Sequence, residues 1–298
     1  MSAELGWKPD GAPFSERFGE VYFPAEDGLA EARRNFLEGN GLPSAWAGRS
    51  DFTIGETGFG TGLNFCAAVQ MWRETRPSGG LLHYIGIEGF PLSGGDCFRA
   101  LTQWPELTSV ATALRERYPA PVPGLHRIHF DDWGVMLTLA VGDVRAMLGA
   151  LHGRIDAWIL DGFAPEKNPE MWCDPVLLSV GKLTNQGGSL AAVTATGAVR
   201  ACFAAQGFTV EEMPGSGPSR TGVVARKPAE MPGDRRPLSA RGAPIRERSR
   251  RERVAVIGGG IAGASLIRAL RRRGMEPVLY DGAGAGGGAS GNTYALVT

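Results

Sequence analysis

From residue 51 onward, short apolar runs alternate with stretches of helical periodicity. Asp51–Glu56 (DFTIGE) predicts a strand and Leu63–Arg76 a helix, with a glycine-rich turn between them. His83–Glu88 (HYIGIE) predicts the next strand, and Asp96–Tyr118 a helical pair containing Trp104-Pro105. Leu125–Asp131 and Val135–Val141 alternate around Asp132-Trp133-Gly134, the pattern of a hairpin. A short helix over Asp143–Leu151, a buried strand over Ile155–Leu160 and a helix over Pro175–Leu183 follow. Gly188–Thr194 then predicts a strand, Gly197–Gln206 a helix, and Phe208–Met213 with Val223–Arg226 a closing pair. Strands alternating with helices predict an α/β, doubly wound, mostly parallel sheet covered on both faces. The closing pair predicts an antiparallel edge.

Residues 227–252 interrupt this pattern with four prolines and almost nothing apolar, and they predict a basic linker. From Arg253 the chain restarts as strand (VAVIG), glycine turn, helix (Gly263–Arg273) and strand (Pro277–Tyr280). One such βαβ unit cannot bury a core of its own. The expected organisation is a domain over 1–226, the linker over 227–252, and over 253–298 the opening fragment of a second, Rossmann-type domain.

Composition sharpens that division. The 44 glycines are about twice the usual share of roughly 7%, and many sit in two turns. The formal charge of zero conceals an asymmetry: residues 1–225 carry 17 Lys and Arg against 25 Asp and Glu, residues 226–298 carry 14 against 6. Cys66, Cys97, Cys173 and Cys202 are scattered, and His83, His126, His129 and His152 add no metal-ligand spacing. We therefore expect no metal, and reduced thiols in a cytoplasmic protein. The N-terminus lacks a basic stretch followed by an apolar run, and no segment approaches 18 apolar residues, so neither a signal peptide nor a membrane partner is expected.

The first glycine turn, Glu56-Thr57-Gly58-Phe59-Gly60-Thr61-Gly62, lies between a strand and a helix. Glycines let the chain turn sharply and let a ligand approach the backbone. The spacing differs from the G-x-G-x-x-G that receives a pyrophosphate. A leading carboxylate suits a ligand bearing an ammonium group and no phosphate, such as the methionine end of S-adenosylmethionine. Glu88 ends the next strand, where a carboxylate can accept two ribose hydroxyls, and Asp143 follows the third, where an adenine edge is met. A tight loop without ligand is the alternative. Acidic residues at three successive strand ends argue against it, because ligands of doubly wound sheets sit at those ends. The second turn, Gly258-Gly259-Gly260-Ile261-Ala262-Gly263, is a true G-x-G-x-x-G with Asp281 ending the next strand. It reads as a dinucleotide fingerprint for FAD or NAD, with binding expected only from a complete domain.

The most distinctive segment is Ile155–Trp172, IDAWILDGFAPEKNPEMW. A buried strand delivers Asp161 to the carboxyl edge, where an amine-methylating enzyme needs an acceptor that holds the amine and takes its proton. Phe163 can pack against a flat base. The bland alternatives are that Asp161 caps the following turn and that Phe163 and Trp172 are core.

With ETGFGTGLNF, IEGFPLS, WPEL, the Gly142-Asp143 pair and DAWILDGFAPEKNPEMW together, the chain closely resembles the MnmC family of bifunctional tRNA wobble-uridine modification proteins. FSERFGEVYFPAEDGLAEARRNFLEGN resembles that family's opening segment. The resemblance implies a class I methyltransferase-like fold followed by part of an FAD-binding domain. It implies transfer of a methyl group from S-adenosylmethionine to the amine of 5-aminomethyl-(2-thio)uridine in tRNA. Glu56, Gly58, Gly60, Gly62, Glu88 and Asp143 would hold the cofactor, Asp161 would face the amine, and Phe163 and Lys167 would line the substrate pocket. Gly258, Gly260, Gly263 and Asp281 would hold FAD, with Gly288–Asn292 as the next flavin-contacting loop. Two departures stand out. The loop Gly215–Thr221 keeps only Arg220 where the family carries a basic run, and the second domain stops after one βαβ unit, so the FAD-dependent step is not expected of this chain.

An FAD-dependent oxidoreductase, a small-molecule amine methyltransferase and an inactive tRNA-binding remnant are the other readings. The acidic first domain needs a basic contact for tRNA, either Arg33, Arg34 and Arg220 or the linker Arg235–Arg253.

Overall fold

The computed structural model describes residues 3–192, 196–214, 221–229, 253–272, 275–282, 284, 286 and 287. Arg220, the loop Gly288–Asn292 and residues 230–252 of the expected linker lie outside the described residues. The chain divides into two compact units, Met1–Asp234 and Arg235–Thr298.

The first unit opens with elements that the sequence pattern did not predict. Strands β1 (Leu5–Trp7), β2 (Pro13–Ser15) and β3 (Glu20–Val21) form a small antiparallel sheet. Helix α1 (Gly28–Glu31) runs into a wider helical stretch over Ala32–Glu38, where bonds such as Gly39 N–H to Arg34 O span five residues. Such π-type winding is uncommon and often found at functional sites. Asn40, just beyond it, ties this segment to the main sheet. Its Nδ2 donates to Trp158 O at 3.0 Å, and Ser189 Oγ donates to its Oδ1 at 2.7 Å.

The main sheet contains β4 (Asp51–Thr57), β5 (Leu81–Glu88), β6 (Gly124–Phe130), β7 (Val135–Val141), β8 (Ile155–Leu160), β9 (Thr184–Ala192), β10 (Thr209–Pro214) and β11 (Thr221–Arg226). Their spatial order is β10-β11-β9-β8-β4-β5-β7-β6. β4, β5, β7, β8 and β9 are parallel, whereas β6 and β11 run against their neighbours. This is the α/β, doubly wound, mostly parallel sheet expected, with the antiparallel edge contributed by β11 beside β9. All six residues of β8 are buried, because helices cover both of its faces.

Helices α2 (Leu63–Thr75), α3 (Gly94–Leu101) and α4 (Thr108–Arg117) pack a core of Phe65, Trp72, Leu101, Leu107 and Leu114 against one face. Helices α5 (Val144–Ala150), α6 (Asp174–Leu183) and α7 (Gly197–Ala205) cover Trp158, Leu160 and Leu190 on the other. Side-chain caps fix where three of them start: Ser93 for α3, Asp143 for α5 and Thr196 for α7.

Two boundaries differ from the sequence pattern. β9 begins at Thr184 rather than Gly188, across a bulge opposite Ile155–Ala157. The polar start is held by Asn185 Nδ2 donating to Asp156 Oδ1 at 2.6 Å, so polarity did not end the strand. The first unit also extends past Arg226. Lys227 N–H donates to Gly188 O, Gly187 N–H donates to Pro228 O, and Lys227 Nζ donates to Gly181 O at 2.8 Å and Thr184 O at 3.0 Å.

The second unit pairs β12 (Arg253–Ile257) in parallel with β13 (Glu276–Tyr280), joined by α8 (Ile261–Arg271). Among its described residues Ile257 is 88% and Ile261 71% exposed.

Candidate active site

The chain leaves β4 toward β5 on one side, while β8 flanks β4 on the other, so a crevice opens at the carboxyl ends of β4 and β8. A cavity of about 660 Å³ lies there, within the range of small-molecule sites. Gly58, Gly60, Glu88, Asp143, Asp161 and Phe163 all line it.

The turn from β4 into α2 is built on left-handed backbone: φ is +79° at Gly58, +51° at Gly60 and +79° at Gly62. At Gly58 a side chain is doubly excluded, since a Cβ would stand 2.5 Å from Asp161 O. Gly58 and Phe59 N–H both donate to Ile87 O, which seats the turn on the end of β5. Glu88 completes the seat: its Oε2 accepts from Gly60 N–H and its Oε1 from Phe90 N–H, each at 2.8 Å. Burial pushes the Glu88 carboxyl up, against the lowering effect of these backbone donors. Asp143 uses Oδ1 to cap α5, accepting from Arg145 N–H at 3.1 Å and Ala146 N–H at 3.0 Å, at the rim of the cavity.

Glu56 stands apart from these groups. Its side chain is fully buried behind the turn and is not among the residues lining the cavity. Tyr84 OH donates to Oε2 and Asn64 Nδ2 to Oε1, both at 2.8 Å. Burial pushes the Glu56 carboxyl well above the usual carboxylate range, and nearby Asp161 raises it further. Gly62 and Lys167 also lie outside the lining. Gly62 shapes the entry to α2, while Lys167 Nζ donates to Gly19 O at 2.7 Å and stands 3.9 Å from Glu20 Oε2.

Asn64, which sequence reasoning did not single out, joins the two acidic groups. Its Nδ2 donates at 2.8 Å to Glu56 and at 2.8 Å to Asp161 Oδ2. Asp161 Oδ1 accepts from Gly162 N–H at 2.8 Å. Asp161 is thereby fixed in the cavity wall, and burial pushes its carboxyl from 3.8 up to about 6. The Asn64 and Gly162 donors hold that rise back, and the negative charges of Glu31 and Glu20 add to it.

The small N-terminal sheet supplies a further part of the wall. Phe163 stacks on Phe18 with centroids 4.6 Å apart and meets Tyr22 edge-on at 5.2 Å. Ala164 N–H donates to Glu20 Oε2 at 3.1 Å, and Trp172 Nε1 donates to Phe163 O at 2.9 Å. Phe18, Glu20 and Tyr22 belong to the opening segment whose family likeness was visible but whose place at the site was not.

The arrangement fits S-adenosylmethionine. Gly58 and Gly60 leave backbone open to the cavity, Glu88 and Asp143 line it from the ends of two neighbouring strands, and Asp161 occupies the adjoining position. Among the described residues no group of three or more His, Cys, Asp or Glu is placed to hold a metal, and no helix is long and apolar enough to cross a membrane. In the second unit, Gly258 has φ +97°, Gly260 precedes α8, and a Cβ on Gly263 would strike Gly258 O. Asp281 Oδ2 accepts from Gly259 N–H at 2.5 Å, which brings the four residues of the second fingerprint into one turn.

A family profile described as S-adenosyl-L-methionine-dependent methyltransferase matches residues 105–228. Relatives named tRNA 5-methylaminomethyl-2-thiouridine biosynthesis bifunctional protein MnmC align along nearly the whole chain. That of Caulobacter vibrioides is 45% identical over 99% of this chain and 47% of its own length. That of Maricaulis maris is 43% identical over 99% of this chain and 49% of its own. A crystal structure of MnmC2 from Aquifex aeolicus shares the fold, with a TM-score of 0.61 at 23% identity over 78% of this chain and 73% of that one. The chain spans about half the length of the curated relatives it matches. By sequence the chain is similar along nearly its whole length to proteins of the MnmC family, and MnmC2 shares its fold.

Proposed function

We propose that the first unit methylates the primary amine of 5-aminomethyl-(2-thio)uridine at the wobble position of tRNA. The observation that carries the reading is Asp161, a carboxyl pinned by two donors in the wall of an acidic cavity and beside the glycine turn. Bound S-adenosylmethionine supplies an electrophilic methyl group. Asp161 accepts a hydrogen bond from the incoming amine, orients its lone pair and takes up its proton. A carboxyl raised to about 6 is ionised at neutral pH, yet is a better proton acceptor than an ordinary aspartate. Phe18, Tyr22 and Phe163 shield the reacting groups from water. Alignment of amine and methyl group accounts for most of the acceleration, since effective molarity is worth roughly 7–11 kcal/mol.

The free thiols Cys66, Cys97, Cys173 and Cys202 suit a cytoplasmic setting, where tRNA is also found. In the second unit the G-x-G-x-x-G turn and Asp281 support a dinucleotide such as FAD, a ligand with no part in this methyl transfer. The deciding experiment is transfer of label from S-adenosylmethionine to tRNA bearing 5-aminomethyluridine. Labelled tRNA is expected. Transfer to free amines only would replace the proposal with a small-molecule methyltransferase.

A further inference from the structure

The proposed chemistry leaves two residues of the cavity rim, Arg17 and Phe90, without a role. Arg17, Phe18, Phe90 and Phe163 all line that rim. Arg17 and Phe18 come from the turn between β2 and β3, Phe90 follows the end of β5, and Phe163 follows Asp161. Their contacts form a continuous series. Phe163 stacks on Phe18 at 4.6 Å with an interplanar angle of 25°. Phe18 meets Phe90 edge-on at 5.8 Å, and the Arg17 guanidinium lies 4.1 Å from the centre of Phe90 and 5.8 Å from that of Phe18. The Phe163–Phe18 spacing leaves no gap for a third ring between them, so a planar ligand would extend this stack from outside.

The charge pattern gives the far end of the series a partner. The described lining residues include eight carboxylates but one Lys or Arg, which is Arg17. Arg17 forms no ion pair among the described residues. A guanidinium held over an aromatic ring still has its N–H fork, which can take an oxyanion in bidentate fashion.

We propose that this rim is the track for the acceptor nucleotide, with the base on Phe18 and Phe163 and its phosphate on Arg17. The proposal rests on the reading that an amine is methylated at Asp161. Going outward from Asp161, the series carboxylate, aromatic stack, guanidinium matches the order amine, base, phosphate within a single nucleotide. It also explains why a cavity so rich in carboxylates keeps one cation at its edge.

The test uses the full chain with three acceptors: 5-aminomethyluridine, its 3′,5′-bisphosphate and tRNA bearing that base. Arg17→Gln is expected to raise KM about ten-fold for the bisphosphate and for tRNA while leaving the nucleoside unchanged, with Arg17→Lys restoring part of the loss. Phe18→Ala is expected to raise KM about ten-fold for all three, because base stacking is common to them. Binding of S-adenosylmethionine by calorimetry should stay unchanged in every variant, which also reports an intact fold. An equal effect of Arg17→Gln on nucleoside and bisphosphate would overturn the track. So would weakened cofactor binding in that variant, which would put the guanidinium on the cofactor's carboxylate. If the wild-type chain methylated none of the three, the reading at Asp161 would fall and the track with it.

Discussion

Changing Asp161 to asparagine should separate binding from turnover. The glycine turn and Glu88 are untouched, so calorimetry should find S-adenosylmethionine bound as tightly as in the wild type. The proton acceptor is lost, and turnover should fall by roughly 10²–10⁴-fold, the usual worth of a general base. In the wild type, a step that needs ionised Asp161 slows as pH drops through about 6, and a profile flat from about pH 8 to pH 5 would point to another base. Glu56 titrates to a different end. Its folded value lies above the ordinary 4.5, so the stability it contributes is complete below 4.5 and is lost as pH rises through the folded value. Glu56→Gln removes that loss, so its melting temperature should gain on the wild type as pH is raised from about 5 to 8. Glu56→Ala leaves the Tyr84 hydroxyl and one Asn64 N–H without their acceptor and should cost about 1–3 kcal/mol in denaturant unfolding.

At the scale of elements, Lys227 shows where the first unit closes. Its ammonium caps carbonyls at the end of α6 and the start of β9, and burial lowers its pKa. Lys227→Met should therefore destabilise the fold by about 1–2 kcal/mol, with chemical denaturation as the measure. In sequence the same residue opens a stretch of prolines and cations and looks like linker, because a side chain reaching back to two carbonyls leaves no periodic mark. The parallel strands were legible because burial on both faces makes β8 apolar at every position but Asp156, and the antiparallel edge because its two runs lie close together. The segment before residue 51 was illegible: β3 has two residues, and the helix after α1 winds too widely for a 3.6-residue repeat. The candidate site divides in the same way. Gly58, Gly60, Glu88 and Asp161 sit at strand ends, where pattern alone places a ligand. Asn64, Phe18 and Tyr22 reach the cavity through tertiary packing. Glu56 is buried behind the turn and Lys167 is held by Gly19 O, placements that residue type and spacing do not convey.

For the whole molecule, charge is the property that tRNA would sense first. Residues 1–225 have a net charge of −8 and residues 226–298 of +8, so the sequence-independent attraction to phosphates belongs chiefly to the second part. Removing residues 235–298 leaves the first compact unit. The shortened chain should bind tRNA more weakly, with a flatter slope of log affinity against log salt. An unchanged slope would place the contacts on the first unit's own cations, with Arg17, Arg33 and Arg34 the first to exchange.

The bridge made by Asn64 has a spectroscopic consequence. Both hydrogens of one amide nitrogen are committed to carboxylates, one to Glu56 and one to Asp161. Rotation about its C–N bond would break both bonds, so the two protons should be inequivalent and slow to exchange with water. One of them should follow the ionisation of Asp161 near pH 6, giving heteronuclear NMR a resonance that reports the charge of the proposed base without any turnover.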